Sequence, residues 1–290
     1  MVVVKLMGGL GNQMFQYAFG RTLATQLHKN LVLDVDFLLD RSPKSNFVYR
    51  DFDLDIFQLN SYRFYDVEHK EKFKKKTLFS KGSFVFFEKG FHFQEFDHVL
   101  KFSKVYLEGY WQSYKYFEGI EGLIRQEFTF KQTLNPIQQE LLDKIKSTKS
   151  ICVNFRRTDF VTIPTAIQTH GVPSLRYYKD ALSALTDVIG TDVSLFIFSD
   201  DIDWCKANFQ TNYPAFFVDH ATYKGDRFSV YLNLMSHCKH FIVPNSTFAW
   251  WGAWLSTNPS KLVFTPEKWF SDELLQNQTH DLRPSSWITL

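Results

Sequence analysis

From residue 151 onward short apolar runs recur in this chain, and each one ends in a polar loop that opens a helix. The runs at 151–156, 194–198, 215–218, 240–243 and 262–265 are largely apolar rather than alternating, as strands buried on both faces must be. Between them lie segments with helical character at 175–189 (behind Ser174 as N-cap), 227–238 and 248–255, and a short helix carrying Trp204. Strand and helix in this alternation predict a doubly wound parallel sheet, an α/β fold. The loops at the carboxyl ends of such strands line one crevice, where ligands bind. Here those loops are Arg156-Arg157-Thr158-Asp159, Ser199-Asp200-Asp201 and Asn245-Ser246-Thr247.

Two adjacent arginines at a strand tip need an anion, because an unpaired buried guanidinium is costly. A diphosphate suits them, being multiply charged and able to accept bidentate hydrogen bonds. Asn245-Ser246-Thr247 begins a helix, and free N–H groups with two hydroxyls make a seat for the same anion. The plainer alternatives are a surface ion pair for the arginines and ordinary N-capping for the second loop. Asp201-Ile202-Asp203 has the DxD spacing of metal-dependent sugar transferases. Acids favour the first turn of a helix in any case, and the arginines can neutralise phosphates, so no metal is expected.

The N-terminal half opens with a buried strand at 2–7, a glycine-rich turn at 8–13, a helix at 15–27 and a strand at 31–34, a βαβ unit. Gly9, Gly11 and Asp34 suggest a dinucleotide fingerprint, and an NAD-dependent Rossmann oxidoreductase is one alternative reading. Met14 stands where its third small residue belongs, which weakens it. The alternating acids of 51–55 read as a solvated face rather than a metal cluster. Residues 105–113 read as a strand running into an aromatic, polar loop, followed by an amphipathic helix through Phe117, Ile120 and Leu123. A helix at 137–145 ends in the polar run 146–150, the best linker, dividing the chain into domains 1–146 and 147–290.

Composition narrows the partners. A net charge of +2 gives no case for nucleic acid. The one basic cluster, 69–76, reads as a solvated face, with contact to an anionic membrane surface as the minor reading. The chain is 18% aromatic, with 31 Phe, so most rings belong to the core, including the tryptophan-rich helix 248–255. Aromatic platforms for sugar keep a second alternative alive, a non-catalytic sugar-binding module. Cys152, Cys205 and Cys238 form no CxxC and read as reduced, buried thiols. The first apolar run is too short for a signal peptide and no run is long enough to span a membrane. The expected location is the cytoplasm, with a peripheral place at the inner membrane face left open.

Taken in order, the motifs resemble a known family. Gly8-Gly9-Leu10-Gly11-Asn12-Gln13-Met14-Phe15-Gln16-Tyr17-Ala18, Gly109-Tyr110-Trp111-Gln112-Ser113, Arg156-Arg157-Thr158-Asp159, His170-Gly171-Val172, Ser199-Asp200-Asp201 with Trp204, and the segment 245–254 are similar to those of the α-1,2-fucosyltransferases of glycosyltransferase family 11. The resemblance implies a GT-B fold, two Rossmann-like domains facing each other across a cleft. It implies an inverting transfer of L-fucose from GDP-fucose to the 2-hydroxyl of a terminal galactose, on an oligosaccharide or glycolipid, without a metal or other cofactor.

The donor would lie on the C-terminal domain, with Arg156 and Ser246 at the diphosphate, Asp200 or Asp201 near the guanosine, and Asn154, Asn245 and Thr247 beside them. Asn12 would reach the donor from the glycine loop. Trp111, Gln112 and His170 would meet the acceptor. The family pattern His-x-Arg-Arg-x-Asp is broken here, since Asn154 stands for the histidine. An amide can hydrogen-bond a nucleotide but does not titrate. Asp159, then His170, are the candidates for the general base, with Arg156 completing the catalytic set.

Overall fold

Val2, Val3 and Val4 are wholly buried, which is what makes β1 (Val2–Lys5) the centre of a sheet rather than its edge. The computed structural model describes residues 1–43, 47–59, 62–65 and 82–290. The basic cluster at 69–76 therefore lies outside the described residues. β1 is joined in parallel by β2 (Leu31–Asp34), β3 (Tyr62–Phe64), β4 (Ser83–Phe87) and β5 (Lys104–Glu108), in the order β3-β2-β1-β5-β4. A second parallel sheet holds β6 (Ser150–Phe155), β7 (Ser194–Ser199), β8 (Ala215–Phe217), β9 (His240–Ile242), β10 (Val263–Thr265) and β11 (Ile288–Thr289). Its order is β11-β10-β9-β6-β7-β8. The α/β expectation holds for both sheets.

The sheets belong to two compact units, Met1–Thr129 with Asn277–Arg283, and Phe130–Gln276 with Pro284–Leu290. The boundary thus falls ahead of the helix Pro136–Ser147, not after it at 146. That helix is fixed by a capping box between Asn135 and Gln138, and the Gln138 amide donates to the Thr222 carbonyl of the second unit at 3.3 Å. The segment 277–283 returns to the first unit, where Ser113 Oγ donates to the Asp281 carbonyl and Asp281 pairs with Lys115.

Helices of five or more residues are numbered α1 (Leu10–Gln26), α2 (Glu121–Glu127), α3 (Pro136–Ser147), α4 (Thr158–Thr162), α5 (Pro164–Thr169), α6 (Leu175–Ile189), α7 (Ile202–Asn208), α8 (Ser229–Ser236) and α9 (Thr247–Leu255). Four of them, α1, α4, α5 and α8, depart from the sequence reading. α1 begins at Leu10, so Asn12 and Gln13 lie in its first turn rather than in a glycine loop. Gly8, at φ +74°, makes the whole turn, and an added Cβ there would strike the Asn12 side chain. α4 and α5 replace an expected loop. α8 starts two residues late because Arg227 and Phe228 are left-handed, at φ 45° and 65°.

The core of the second unit forms where Ile151, Val153 and Phe155 meet Tyr177, Tyr178, Leu182 and Leu185 of α6. On the opposite face Asn154 meets Met235 of α8. α9 is core as its composition required: Trp250 and Trp251 are fully buried and Trp254 nearly so. Cys152, Cys205 and Cys238 are free and buried. Both sheets reverse strand order beside their first strand, between β1 and β5 and between β6 and β9. A doubly wound sheet opens its ligand crevice at such a reversal.

Candidate functional site

The reversal in the second unit lies between the loop after β6 and the loop after β9, the two that carry Arg156 and Ser246. Arg156 is bracketed by carboxylates, one from Asp159 and one from Asp200, the latter at 2.8 Å. Asp200 also accepts from the Arg157 backbone N–H at 2.8 Å and the Thr158 hydroxyl at 2.6 Å, so it fixes the whole loop. Each carboxylate engages a different terminal nitrogen of Arg156, and a guanidinium has five N–H donors. The carboxylates therefore orient Arg156 without exhausting it.

Arg157 is placed differently. Its guanidinium lies 3.5 Å from the centre of the Trp204 ring and pairs with Asp201 at 3.3 Å. Tandem arginines of identical chemistry thus divide, Arg157 into a stacked strut and Arg156 toward the crevice. The DxD spacing divides as well. Asp201 caps α7 by accepting from the Trp204 N–H, whereas the Asp203 side chain is 90% exposed and pairs with Lys206. Among the described residues no group of three His, Cys, Asp or Glu side chains could hold a metal ion.

Ser174, Asp201 and Asp219 cap their helices through their side chains, but Ser246, the N-cap of α9, makes no such bond. The capping alternative is thereby removed for Ser246, and its hydroxyl and the start of α9 remain for an anion. Thr247 follows it as the first residue of α9. Asn245 braces neighbouring segments through its amide nitrogen, while its Oδ1 is buried without a partner. It is 3% exposed, and its amide donates to the carbonyls of His170 (2.9 Å), Gly171 (3.3 Å) and Trp269 (3.0 Å). Asn154 departs from the expectation of a nucleotide contact. It is buried one strand step below Arg156, with its amide 3.9 Å from the Met235 sulfur.

Through Asn245 the segment after α5 is drawn to the end of β9, and His170 with it. The His170 ring stacks on Phe160 at 4.5 Å and tilts against Phe270 at 5.3 Å. Phe160 in turn lies 5.3 Å from the Arg156 guanidinium. Burial pushes the His170 pKa below the ordinary histidine value; Asp159 opposes that shift and Arg156 adds to it. Nδ1 is buried without a partner. Arg156, Asp159 and His170, far apart as types of residue, are thus one cluster.

The sheet of the first unit, in the order β3-β2-β1-β5-β4, also reverses beside its first strand. Its reversal brings the loop after β1 to the loop after β5, and Gln112 Nε2 donates to Asn12 Oδ1 at 3.0 Å. Gln16 ties the same loops by accepting from the Met7 N–H and donating to the Gly109 carbonyl. Trp111 is fully buried in a left-handed conformation, φ 57°, so it is a core anchor of this loop and not an open sugar platform. Gln112 Oε1 is buried without a partner. Asp34 does not resemble a ribose ligand: it accepts from the Tyr106 hydroxyl at 2.7 Å and from the Asp36 N–H.

Two supporting residues escaped the sequence reading. Tyr231 of α8 accepts from the Ser199 N–H at 2.7 Å and reaches the carbonyls of Ser199 and Val218, joining the ends of β7 and β8. Glu88, just past β4, accepts from the N–H groups of Tyr110 and Trp111 at 2.6 and 2.7 Å. The one signal for Glu88 was an acid closing an apolar strand, as Asp34 closes β2.

A sequence profile described as Glycosyl transferase family 11 matches residues 1–290. An alpha-1,2-colitosyltransferase of Escherichia coli is 33% identical over 302 residues, covering 100% of this chain and 98% of that protein. The O-antigen biosynthesis glycosyltransferase WbnK, also of Escherichia coli, is 32% identical over 308 residues, with 98% and 99% covered. Among solved structures, a mutant of Arabidopsis thaliana FUT1 in complex with GDP matches with a TM-score of 0.50 at 12% identity, over 99% of this chain and 75% of that one. The shared fold is GT-B-like, a pair of Rossmann-like α/β units.

Proposed function

The chain belongs to glycosyltransferase family 11, and from that premise we propose that it moves L-fucose from GDP-L-fucose to the 2-hydroxyl of a terminal galactose, inverting the anomeric centre. The observation that carries the reading is the convergence, at the strand reversal of the second unit, of a carboxylate-oriented Arg156 with the uncapped start of α9 at Ser246. GDP accumulates negative charge as it leaves an oxocarbenium-like transition state. A fixed guanidinium and a helix N-terminus are groups that stabilise such charge without reorganising.

The acceptor hydroxyl needs a base. His170 serves in this reading: burial favours its neutral form, and Arg156 and Asp159 act on it. Asp159, first on sequence grounds, is engaged by Arg156 and acts as its orienting group. No metal or other cofactor takes part, a reading supported by the divergence of Asp201 and Asp203. The reading keeps the cytoplasmic setting, which the three free, buried thiols support. Among the described residues no helix is long and apolar enough to cross a membrane.

The colitosyltransferase relative favours a second reading of the donor alone. Colitose is L-fucose without its 3-hydroxyl, so the leaving nucleotide and the linkage would be unchanged. Incubation with GDP-fucose or GDP-colitose and a panel of galactose-terminated acceptors, with and without EDTA, tests both. An α-1,2-fucosylated product insensitive to EDTA is expected. Product from GDP-colitose alone would move the assignment to the second donor, and no product from either would overturn the reaction.

A further inference from the structure

Between β8 and β9 the chain makes a turn that packing alone does not explain. Arg227 and Phe228 follow one another in the left-handed region, at φ 45° and 65°. That conformation costs a residue with a Cβ on the order of 1 kcal/mol or more. The turn is held by its surroundings. Gln132 Oε1 accepts from the Asp226 N–H at 2.9 Å and from the Ser229 hydroxyl, and Gly225, at φ +67°, leaves no room for a Cβ beside Val230. What the turn presents is an aromatic ring that remains 40% exposed.

The ring's neighbours come from the segment after β8 and from α8 and α9: the Lys224 ammonium lies 5.6 Å from its centre and the Tyr231 ring 6.5 Å. Phe228 meets His220, after β8, at 5.5 Å, and Phe248, two residues beyond Ser246, at 6.2 Å, in T-shaped contacts. Asp200, which holds Arg156, also acts on His220. Phe228 therefore touches Phe248, just past Ser246, and touches His220, which feels the charge of Asp200. A nucleoside diphosphate whose phosphates lie in the proposed seat must set its base against a nearby surface, and every base has a π-face that stacks on an aromatic ring.

We propose that Phe228 is the stacking platform for the nucleobase of the donor, held in a left-handed turn for that purpose. The proposal rests on the GDP reading above. It is tested by the binding of GDP and of inorganic pyrophosphate to the full chain and to Phe228→Gly, Phe228→Ala and Phe228→Tyr. Loss of stacking weakens GDP on the order of 10- to 100-fold in the glycine and alanine variants. Pyrophosphate, which has no base, binds all four proteins alike, and the tyrosine variant keeps its GDP affinity.

Glycine is at ease at positive φ, so Phe228→Gly melts no lower than Phe228→Ala although it binds GDP no better. Unchanged GDP affinity in the glycine and alanine variants would overturn the platform. Equal weakening of GDP and pyrophosphate would overturn it too, since the residue would then shape the phosphate seat. If the unaltered chain bound pyrophosphate but not GDP, or neither, the reaction itself would be misassigned and the platform with it.

Discussion

Arg156 and Arg157 are adjacent, equally charged and indistinguishable by composition, yet they are expected to fail differently when removed. Arg156→Ala takes away the group proposed to face the departing diphosphate, so kcat should fall on the order of 100- to 1,000-fold with melting temperature nearly unchanged. Arg157→Ala removes a stack on Trp204 and a partner of Asp201, and should cost on the order of 1 kcal/mol of stability with a much smaller loss of rate. Steady-state kinetics beside thermal melts would separate them; the reverse pattern would exchange their roles. His170 gives a pH signature. A base must be neutral to act, and burial lowers the pKa of this imidazole. The acid limb of the kcat/KM profile is therefore expected below pH 6.5, the ordinary histidine value. Asp159→Asn removes the charge that opposes this shift, so the limb should persist but move to lower pH, and His170→Gln should abolish it with most of the rate. A limb that survived His170→Gln would return the base to a carboxylate.

Elements place these residues, and one loop of the first unit depends on a single carboxylate. Glu88 accepts from two consecutive backbone N–H groups and so fixes Tyr110 and Trp111, with Gln112 and its partner Asn12 next in line. Burial raises the Glu88 pKa to about 7, the two N–H groups opposing it, and the Tyr110 and Tyr116 hydroxyls face it. The sign follows from proton binding. Between the ordinary carboxylate range and pH 7 the folded chain holds a proton that the unfolded chain has released, so this group's contribution to stability declines as pH rises through that window. The loop is held best by the ionised form, which accepts from both N–H groups. Melting curves from pH 5 to 8 should show the unaltered chain losing stability relative to Glu88→Gln as pH rises. Parallel curves would show that Glu88 is ionised throughout.

At the scale of the whole molecule, two parallel sheets each present one reversal, and the proposed donor seat belongs to the second. On the proposed function GDP binds the folded chain and not the unfolded one, so a concentration one hundred times its Kd should add about 2.7 kcal/mol to stability. Hydrogen exchange would locate the effect. Protection is expected at 156–159, 199–201 and 245–247 in the second unit. Protection confined to the loops after β1 and β5 would assign the nucleotide to the first unit instead. The same measurement run with EDTA should be unchanged, because the two acids of the DxD spacing point to different partners.

Much of this was legible in the chain itself. Short apolar, β-branched runs that end in polar loops read as strands covered on both faces, and their polar ends named Arg156, Asp200 and Ser246. Helix α6 and its Ser174 cap follow from local signals, because capping and helical periodicity are properties of neighbouring residues. The edge strands β3 and β4, the two-residue β11, and the return of 277–283 to the first unit were not legible, since each depends on a partner far along the chain. Nor could local pattern divide Arg156 from Arg157, free Ser246 from capping, bury Asn154 against Met235, or enlist Asn245 and Trp111 as supports. Those outcomes turn on which distant side chain fills the space beside each residue. The sequence by itself determined the layers, the strand ends and the chemistry gathered there; only tertiary packing decided which of those groups face the ligand and which hold them in place.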